Sequence, residues 1–375
     1  YTVNKGFITT IMDTISVNNE NVNLGLKPNE TAIKHVPKDI NQDRDSQRIP
    51  LSSLSETVQR IPQYKEERIM QPYSSSLPTF PSGEDSTPNR ARIYLPQQKK
   101  LLMASPGVDQ DRRNPQLVAE FAKDIYQSYK KNETKFLPDP NYMNIQSNIN
   151  SNMRAMVIDW LVSVHRALRL VPSTLFLCIN IMDRFLGIKQ IHKARFQLVG
   201  LTCLIIASKY EEVYSPNIEE FGVYAQEIDK SSILLMEKCI LSTIDFNLTV
   251  VTPFSFLTRF CKCGTVQEES QMLALYFAEL TLLDYNFLKF APSVIACSSI
   301  YLCNKFRNRQ EAWCPSLEYY SGYTESDLKP CVTLLLQLIR DQRSTQLKAL
   351  REKYRSPTRL QIANIALSRA FVVTA

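Results

Sequence analysis

Residues 198–208, LVGLTCLIIAS, form an eleven-residue stretch without a single charged side chain. A β-strand of this length would be unusual, and a membrane-spanning helix needs roughly 20 apolar residues. A helix at the protein surface would carry a polar face, and this stretch offers only Thr202 and Ser208. The pattern therefore predicts a helix buried on all sides, in which small residues such as Gly200 let neighbouring helices approach.

The flanking sequence supplies neighbouring helices, and it does so twice. Residues 200–210, GLTCLIIASKY, match residues 296–306, ACSSIYLCNKF, so that Lys305 lies 96 residues after Lys209. Helical patterns precede and follow both stretches in the same order, and such self-similarity indicates a repeat. The sequence predicts an all-α fold with two tandem units of roughly 95 residues, each with five helices around a central one.

Composition divides the chain into four predicted segments. Residues 1–112 contain ten of the 20 prolines and no lasting apolar periodicity, which predicts a disordered regulatory tail. The first five-helix unit, with a preceding helix that starts at Pro115, occupies residues 113–250. The second unit occupies residues 251–360, and residues 361–375 are expected to form a C-terminal tail.

Composition also argues against several functional classes. The net charge of +7 is modest, whereas a dedicated nucleic-acid binder shows a denser basic patch. The nine cysteines lack zinc spacing and lie mostly in apolar runs, which predicts reduced thiols in an intracellular protein. Neither a signal peptide nor a membrane span is recognisable. Because the glycines are isolated and the three histidines lie far apart, we predict no enzyme activity, no metal and no cofactor.

One predicted helix is apolar over more than half of its circumference. It covers residues 150–170, NSNMRAMVIDWLVSVHRALRL. A single core does not easily cover such a wide apolar surface, so one stripe either remains outside as a docking surface or is buried by tight packing. One stripe consists of Met153, Met156, Val157 and Trp160, and the other of Ala155, Ile158, Leu161, Val162 and Leu168.

Isolated charges interrupt other apolar helical patterns. Asp183 lies among aliphatic and aromatic residues, Lys209 ends the buried helix, and Glu237 breaks an apolar helix face. A buried carboxylate needs a partner for its charge. These three positions are therefore candidate sites of specific pairing.

The motifs of the first unit resemble the cyclin box. They are MRAMVIDWLVSV (153–164), IMDRFL (181–186), LVGLTCLIIASKYEE (198–212) and LLMEKCIL (234–241). The resemblance extends over about residues 114–360.

The second unit is similar to the C-terminal cyclin fold of A- and B-type cyclins. The similarity lies in ELTLLDYNFLKFAPSVIA (279–296), SLEYYSGYTESDLK (316–329) and REKYR (351–355). Within them, FLKFAPS and REKY favour the A-type, particularly its plant-like form, over the B-type.

The resemblance implies a regulatory subunit that binds and activates a cyclin-dependent kinase in the nucleus and cytoplasm and controls progression through S, G2 and M phases. By analogy with the family, Arg154 and Asp183 form a buried structural bridge, while Lys209 and Glu237 bind the kinase. The implied apolar surround of that pair consists of Tyr210, Ile206, Leu241, Phe246, Leu248 and Ile125.

The resemblance also implies recruitment of kinase substrates and inhibitors that carry arginine-x-leucine motifs. A-type cyclins usually carry Glu where this chain has Ser163, and that Glu faces the basic residue of the ligand. Docking is therefore expected to rely more on apolar contacts here. The implied docking residues are Met153, Met156, Val157, Trp160, Phe196 and Gln197.

The proline-rich tail contains an R-x-x-L-x-x-L arrangement at Arg48, Leu51 and Leu54. It resembles a destruction box, which implies recognition by a ubiquitin ligase. Arg92 and Leu95 form a shorter alternative. Two further stretches resemble kinase consensus sites, TPNR at 87–90 and SPTR at 356–359.

A second class of function stays open at this point. A cyclin-fold transcription factor or an adaptor would use the same helices without activating a kinase. The transcription-factor alternative needs basic residues along the junction of the repeats and usually a preceding zinc ribbon, and residues 1–112 contain no cysteine. An adaptor would not need a charged pair at a helix tip.

Overall fold

The computed structural model describes residues 120–225 and 228–370, which belong to one compact unit of the chain. Every regular element within these residues is helical. The predicted tail and the predicted helix start at Pro115 lie outside them. The α-helices are α1 (Ala122–Asn132), α2 (Ser151–Ala167), α3 (Pro172–Leu186), α4 (Phe196–Glu211), α5 (Ile218–Gly222), α6 (Lys230–Thr243), α7 (Pro253–Cys263), α8 (Glu268–Thr281), α9 (Pro292–Phe306), α10 (Pro315–Ser321), α11 (Glu325–Asp341), α12 (Ala349–Arg355) and α13 (Ile362–Arg369).

Local chemistry explains where several helices begin. Asn150 caps α2, because its side chain accepts a hydrogen bond from the backbone N–H of Met153 at 3.0 Å. A capping box formed by Thr324 and Asp327 starts α11. Helices α3, α7, α9 and α10 each have a proline in the first turn, where its missing N–H costs nothing.

The helices form two five-helix arrays, α2–α6 and α7–α11, which confirms the predicted fold. Equivalent helices start at the expected spacing: α4 begins at Phe196 and α9 at Pro292, 96 residues later. Both are almost entirely buried and are the central helices of their arrays. No helix among the described residues combines the length and the apolar character needed to cross a bilayer.

Gly200 permits the close contact between α2 and α4. A Cβ atom at this position would lie 2.9 Å from Cγ1 of Val157, closer than real Cβ contacts come. The small residue in the charge-free stretch therefore allows the approach of a neighbouring helix, as expected from the sequence.

The C-terminal segment differs from the prediction of a tail over residues 361–375. Residues up to Arg369 form α13, whose Ile362, Ala363 and Ala366 are buried. At its C-terminal end, the carbonyl of Ala370 accepts a hydrogen bond from Nε of Arg340 at 2.9 Å, and the carbonyl of Leu367 accepts one from Nη2 of Arg343 at 2.8 Å. The second domain therefore extends to α13 rather than ending at residue 360, because this helix has its own apolar contacts and a capped end.

Candidate functional site

An ion pair connects the end of the central helix α4 to α6. The Nζ atom of Lys209 lies 2.6 Å from Oε1 of Glu237, and the two side chains are 45% and 15% exposed. Helix α4 is buried up to Ser208, so Lys209 is where it emerges at the surface. A pair this accessible adds little to stability. Its charges remain within reach of a partner protein.

The residues predicted to surround this pair differ in their exposure. Tyr210 is exposed, and its hydroxyl lies 2.6 Å from Oγ1 of Thr249. Ile206, in contrast, is only 3% exposed and belongs to the core, so it supports the surface from beneath instead of contacting a partner. Leu241, Leu248 and Ile125 are half-buried.

Phe246 is the most unusual member of this surface. Its side chain is 66% exposed, and its backbone has a φ of 54°, as does that of the preceding Asp245. Left-handed backbone at a bulky residue costs about 1–3 kcal/mol and tends to occur at functional sites. The strained backbone and the exposed ring together favour a contact role for Phe246.

The sequence-based prediction did not include an apolar extension of this surface. Val213 and Tyr214 directly follow α4 and are 89% and 92% exposed. Leu234 and Leu235 are exposed on α6, as is Cys239. The sequence did indicate that part of this surface would be exposed, because two adjacent leucines on a helix cannot both face one narrow core stripe.

A second ion pair, between Arg154 of α2 and Asp183 of α3, is buried. The Nε and Nη2 atoms of Arg154 each donate to one carboxylate oxygen of Asp183 at 2.7 Å, and both side chains are buried. Nη1 donates to the carbonyl of Leu282 in the second array at 2.9 Å. The hydroxyl of Tyr142 donates to Asp183 at 2.7 Å. Burial, together with the charge of Asp183, raises the pKa of Tyr142 far above its usual range.

The two apolar stripes of α2 have different surroundings. Of the second stripe, Ile158, Leu161 and Val162 are fully buried, whereas Ala155 and Leu168 are half-buried. Phe196, at 2% exposure, lies in the core rather than on the surface as predicted. The other predicted docking residues are half-buried and form a shallow apolar surface: Met153, Met156, Val157, Trp160 and Gln197.

A second connection from α2 was not predicted from the sequence. The carboxylate of Asp159 is buried and accepts a hydrogen bond from the backbone N–H of Ala349, the first residue of α12, at 2.9 Å. Burial raises the pKa of Asp159 to about 6. The link therefore joins the first array to the segment that follows the second array.

The repeat places Lys305 and Thr333 at the positions that correspond to Lys209 and Glu237. Lys305 lies over the ring of Tyr301, with Nζ 5.4 Å from the centroid. The hydroxyl of Thr333 donates to the carbonyl of Lys329 within its own helix. The second array therefore lacks the ion pair of the first.

The remaining predictions concern metals, thiols and the tail. Among the described residues, no group of three or more potential ligands could hold a metal ion. All nine cysteines are free thiols. Arg48, Leu51, Leu54 and the alternative motif at Arg92 lie outside the described residues.

Family comparisons agree with this architecture. A family model described as "Cyclin, N-terminal domain" matches residues 124–249, and one described as "Cyclin, C-terminal domain" matches residues 251–368. The chain therefore belongs to the cyclin family. The second match also extends into α13, in agreement with the revised end of the second domain.

The curated relatives are A- and B-type cyclins, as predicted. Cyclin-A2-1 of Oryza sativa subsp. japonica is 39% identical over 69% of this chain and 54% of its own length. The G2/mitotic-specific cyclin-A of Hydra viridissima is 41% identical over 64% of this chain and 57% of its own length. The G2/mitotic-specific cyclin-B of Dictyostelium discoideum is 36% identical over 68% of this chain and 59% of its own length. The chain thus spans little more than half the length of these relatives.

The fold also matches a solved structure, that of a viral cyclin from herpesvirus saimiri. The TM-score is 0.53 with 20% sequence identity, and the match covers 57% of this chain and 96% of the viral chain. At this identity the similarity concerns the fold.

Proposed function

We propose that this chain is a regulatory subunit that binds and activates a cyclin-dependent kinase in S, G2 and M phases and is itself no enzyme. The observation that carries the proposal is the pair of Lys209 and Glu237 at the end of α4, with the exposed apolar side chains of Tyr210 and Leu234 within one helical turn of it along the chain. Such a combination of a polar anchor and an apolar rim is typical of protein interfaces. The names of two relatives, G2/mitotic-specific cyclins, support the assignment to the cell cycle.

The first prediction tests the kinase interface. Lys209→Ala and Glu237→Ala should each weaken kinase binding by about 2–5 kcal/mol, because the kinase groups that face the lost charge stay buried and unpaired. Binding is measured by titration calorimetry, and activation by the rate of histone phosphorylation.

Lys230→Ala is the matched control. Lys230 forms an ion pair of the same 2.6 Å length with Glu219, and both side chains are more exposed. Kinase binding should survive this change. Unaltered affinity in both the Lys209 and the Glu237 variants would remove the basis of the proposal.

We also propose that the half-buried stripe of α2 recruits kinase substrates and inhibitors. Arginine-x-leucine motifs are the ligands that the family resemblance implies. A partly exposed apolar stripe on an otherwise packed helix is characteristic of a docking site.

The second prediction concerns turnover through a ubiquitin ligase. Arg48→Ala combined with Leu51→Ala should stabilise the protein through mitotic exit and leave kinase activation intact, because the folded domains are unchanged. A degradation time course compares this variant with Arg92→Ala combined with Leu95→Ala. Stabilisation in the second variant alone would reassign the motif, and normal decay in both would exclude these two sites.

A further inference from the structure

We propose that Ser356, in the turn between α12 and α13, is a phosphorylation site for a proline-directed protein kinase, and that Arg359 directs the modification and then holds the phosphate. Both residues belong to the stretch SPTR at 356–359. The proposal goes beyond the proposed regulatory role and does not depend on it, because any active kinase of this specificity can be the modifying enzyme.

Five serines or threonines of the chain are followed by proline, the residue that defines a proline-directed site. They are Thr87, Ser105, Ser215, Thr252 and Ser356. Two of them, Thr87 and Ser356, also have an arginine three positions later. Thr87 lies outside the described residues. Ser356 is therefore the one position in the described part of the chain that carries both features.

The hydroxyl groups of the three described positions differ in how available they are. Thr252 is buried and forms the N-cap of α7. The hydroxyl of Ser215 lies 2.9 Å from that of Ser208, which is fully buried. Ser356 is half-buried, and within the described residues its hydroxyl has one partner, the hydroxyl of the exposed Thr358 at 2.8 Å. Ser356 thus carries the most available hydroxyl of the three.

The turn that carries Ser356 is short, and part of its backbone is strained. Residues 356–361 connect α12 to α13. The carbonyl of Ser356 accepts hydrogen bonds from the N–H groups of Arg359 at 2.9 Å and Gln361 at 3.3 Å. Leu360 and Gln361 have φ values of 54° and 50°, a left-handed conformation that residues with long side chains rarely adopt. Few bonds and strained backbone favour local opening, which lets a kinase bind this segment in extended form.

The modification would add negative charge at the end of α12. The γ-phosphoryl group of ATP is transferred to Oγ of Ser356: a new O–P bond forms, the bond to the β-phosphate breaks, ADP leaves, and the hydroxyl proton is released to water. The product carries about −1.5 to −2 charges at neutral pH. On α12, the exposed Arg355 and Glu352 have opposite charges, and Lys353 is buried in an ion pair. Arg359 is therefore the cation left to hold the phosphate.

Arg359 is placed to pair with this phosphate. Ser356 is the N-cap of the single turn Pro357–Arg359, and the side chains of an N-cap and the third residue after it approach each other in a capping box. Within the described residues Arg359 has no carboxylate partner, and its Nη1 atom lies 3.3 Å from Sδ of Met272. A thioether is a weak acceptor, whereas an arginine–phosphate pair is charge-assisted. A phosphate on Ser356 should therefore displace Met272 as the partner of Arg359.

The test uses the whole chain with Thr87→Ala, which removes the other complete motif. This protein is incubated with a purified, active kinase of the stated specificity and labelled ATP, and mass spectrometry maps the phosphate. Label should appear at Ser356, and Ser356→Ala should remove most of it. Thr358→Ala, which changes the neighbouring hydroxyl, is the matched control and should be modified like the parent. An unmodified Ser356, or incorporation that Ser356→Ala leaves unchanged, would overturn the inference.

Two variants test the directing role of Arg359. Arg359→Gln should slow the modification about tenfold, because the kinase loses one charge-assisted contact with its substrate. Arg359→Lys keeps the charge and should lose less. If Arg359 served only the structure of the turn, its removal would loosen the turn and speed the modification. Equal or faster modification of Arg359→Gln would therefore overturn the directing role.

Phosphorus NMR tests the holding role on the phosphorylated Thr87→Ala chain. Pairing with arginine should lower the second pKa of the phosphate below its usual value of about 6, and Arg359→Gln should restore that value. The same pKa in both proteins would overturn the holding role. Because the kinase is supplied in its active form, these results do not depend on whether the chain activates a kinase, so either proposal can fail alone.

Discussion

Arg154 shows most clearly how a single residue connects the parts of this protein. Its guanidinium forms a bidentate pair with Asp183 and also bonds to the carbonyl of Leu282 in the other array. Desolvation of two buried charges is costly, and bidentate geometry with further hydrogen bonds offsets it. Three donors of one side chain thereby hold α2, α3 and the end of α8 together.

The third prediction follows from this geometry. Arg154→Ala should lower the free energy of unfolding by about 3–5 kcal/mol, because it leaves the charge of Asp183 buried without its partner. Urea denaturation followed by circular dichroism measures the change. The exposed pair of Lys230 and Glu219, at 2.6 Å, provides a control of similar length, and Lys230→Ala should change stability little. A similar small effect in both variants would contradict a structural role for Arg154.

Sequence reasoning found only part of this arrangement. The pairing of Arg154 with Asp183 was expected from the family resemblance, because both lie in its motifs. The contributions of Tyr142 and Leu282 were not expected, because they depend on chain segments far apart in sequence. The left-handed backbone of Phe246 was not predictable either, since bulky side chains disfavour that conformation and nothing in the local sequence signals it.

At the scale of elements, periodicity predicted the long helices and failed for the last one. The charge-free stretch identified α4, and the repeat located its counterpart α9, because both signals are local and extend over several turns. Helix α13 has eight residues, too few to be stable alone in water. Its stability comes from tertiary contacts, which composition does not reveal.

The fourth prediction tests α13 as part of the second domain. Ile362→Ala should destabilise the chain by about 2–5 kcal/mol, because it leaves a cavity where a fully buried side chain packs. Leu360→Ala, two residues away and exposed, is the control and should have a small effect. Equal unfolding midpoints for the two variants in urea would restore the interpretation of a loose tail.

At the scale of the whole molecule, Asp159 connects the first array to α12 and makes this connection dependent on pH. Burial raises the pKa of Asp159 from 3.8 to about 6. The folded chain therefore keeps this proton in a pH range where the unfolded chain has released it. Between pH 3.8 and about pH 6 the folded state binds more protons than the unfolded state. The contribution of Asp159 to the free energy of unfolding therefore falls as pH rises through this range.

The fifth prediction is that Asp159→Asn removes this contribution. The amide oxygen can still accept the hydrogen bond from Ala349, and the side chain carries no charge at any pH. Relative to the natural chain, the variant should gain roughly 3 kcal/mol in free energy of unfolding between pH 4 and pH 7. Urea denaturation at several pH values measures the difference, and parallel curves for the two proteins would contradict it.

The repeat has a consequence for valency. Equivalent positions of the two arrays lie 96 residues apart, yet the second array has Thr333 where the first has Glu237. Under the proposed function, the internal duplication produced two scaffolds and one kinase site. The complex should therefore have one-to-one stoichiometry, and a single chain cannot gain avidity by engaging two kinases. The second array then does not have to keep a kinase-binding surface, and substitutions on it should leave the number of bound kinases unchanged.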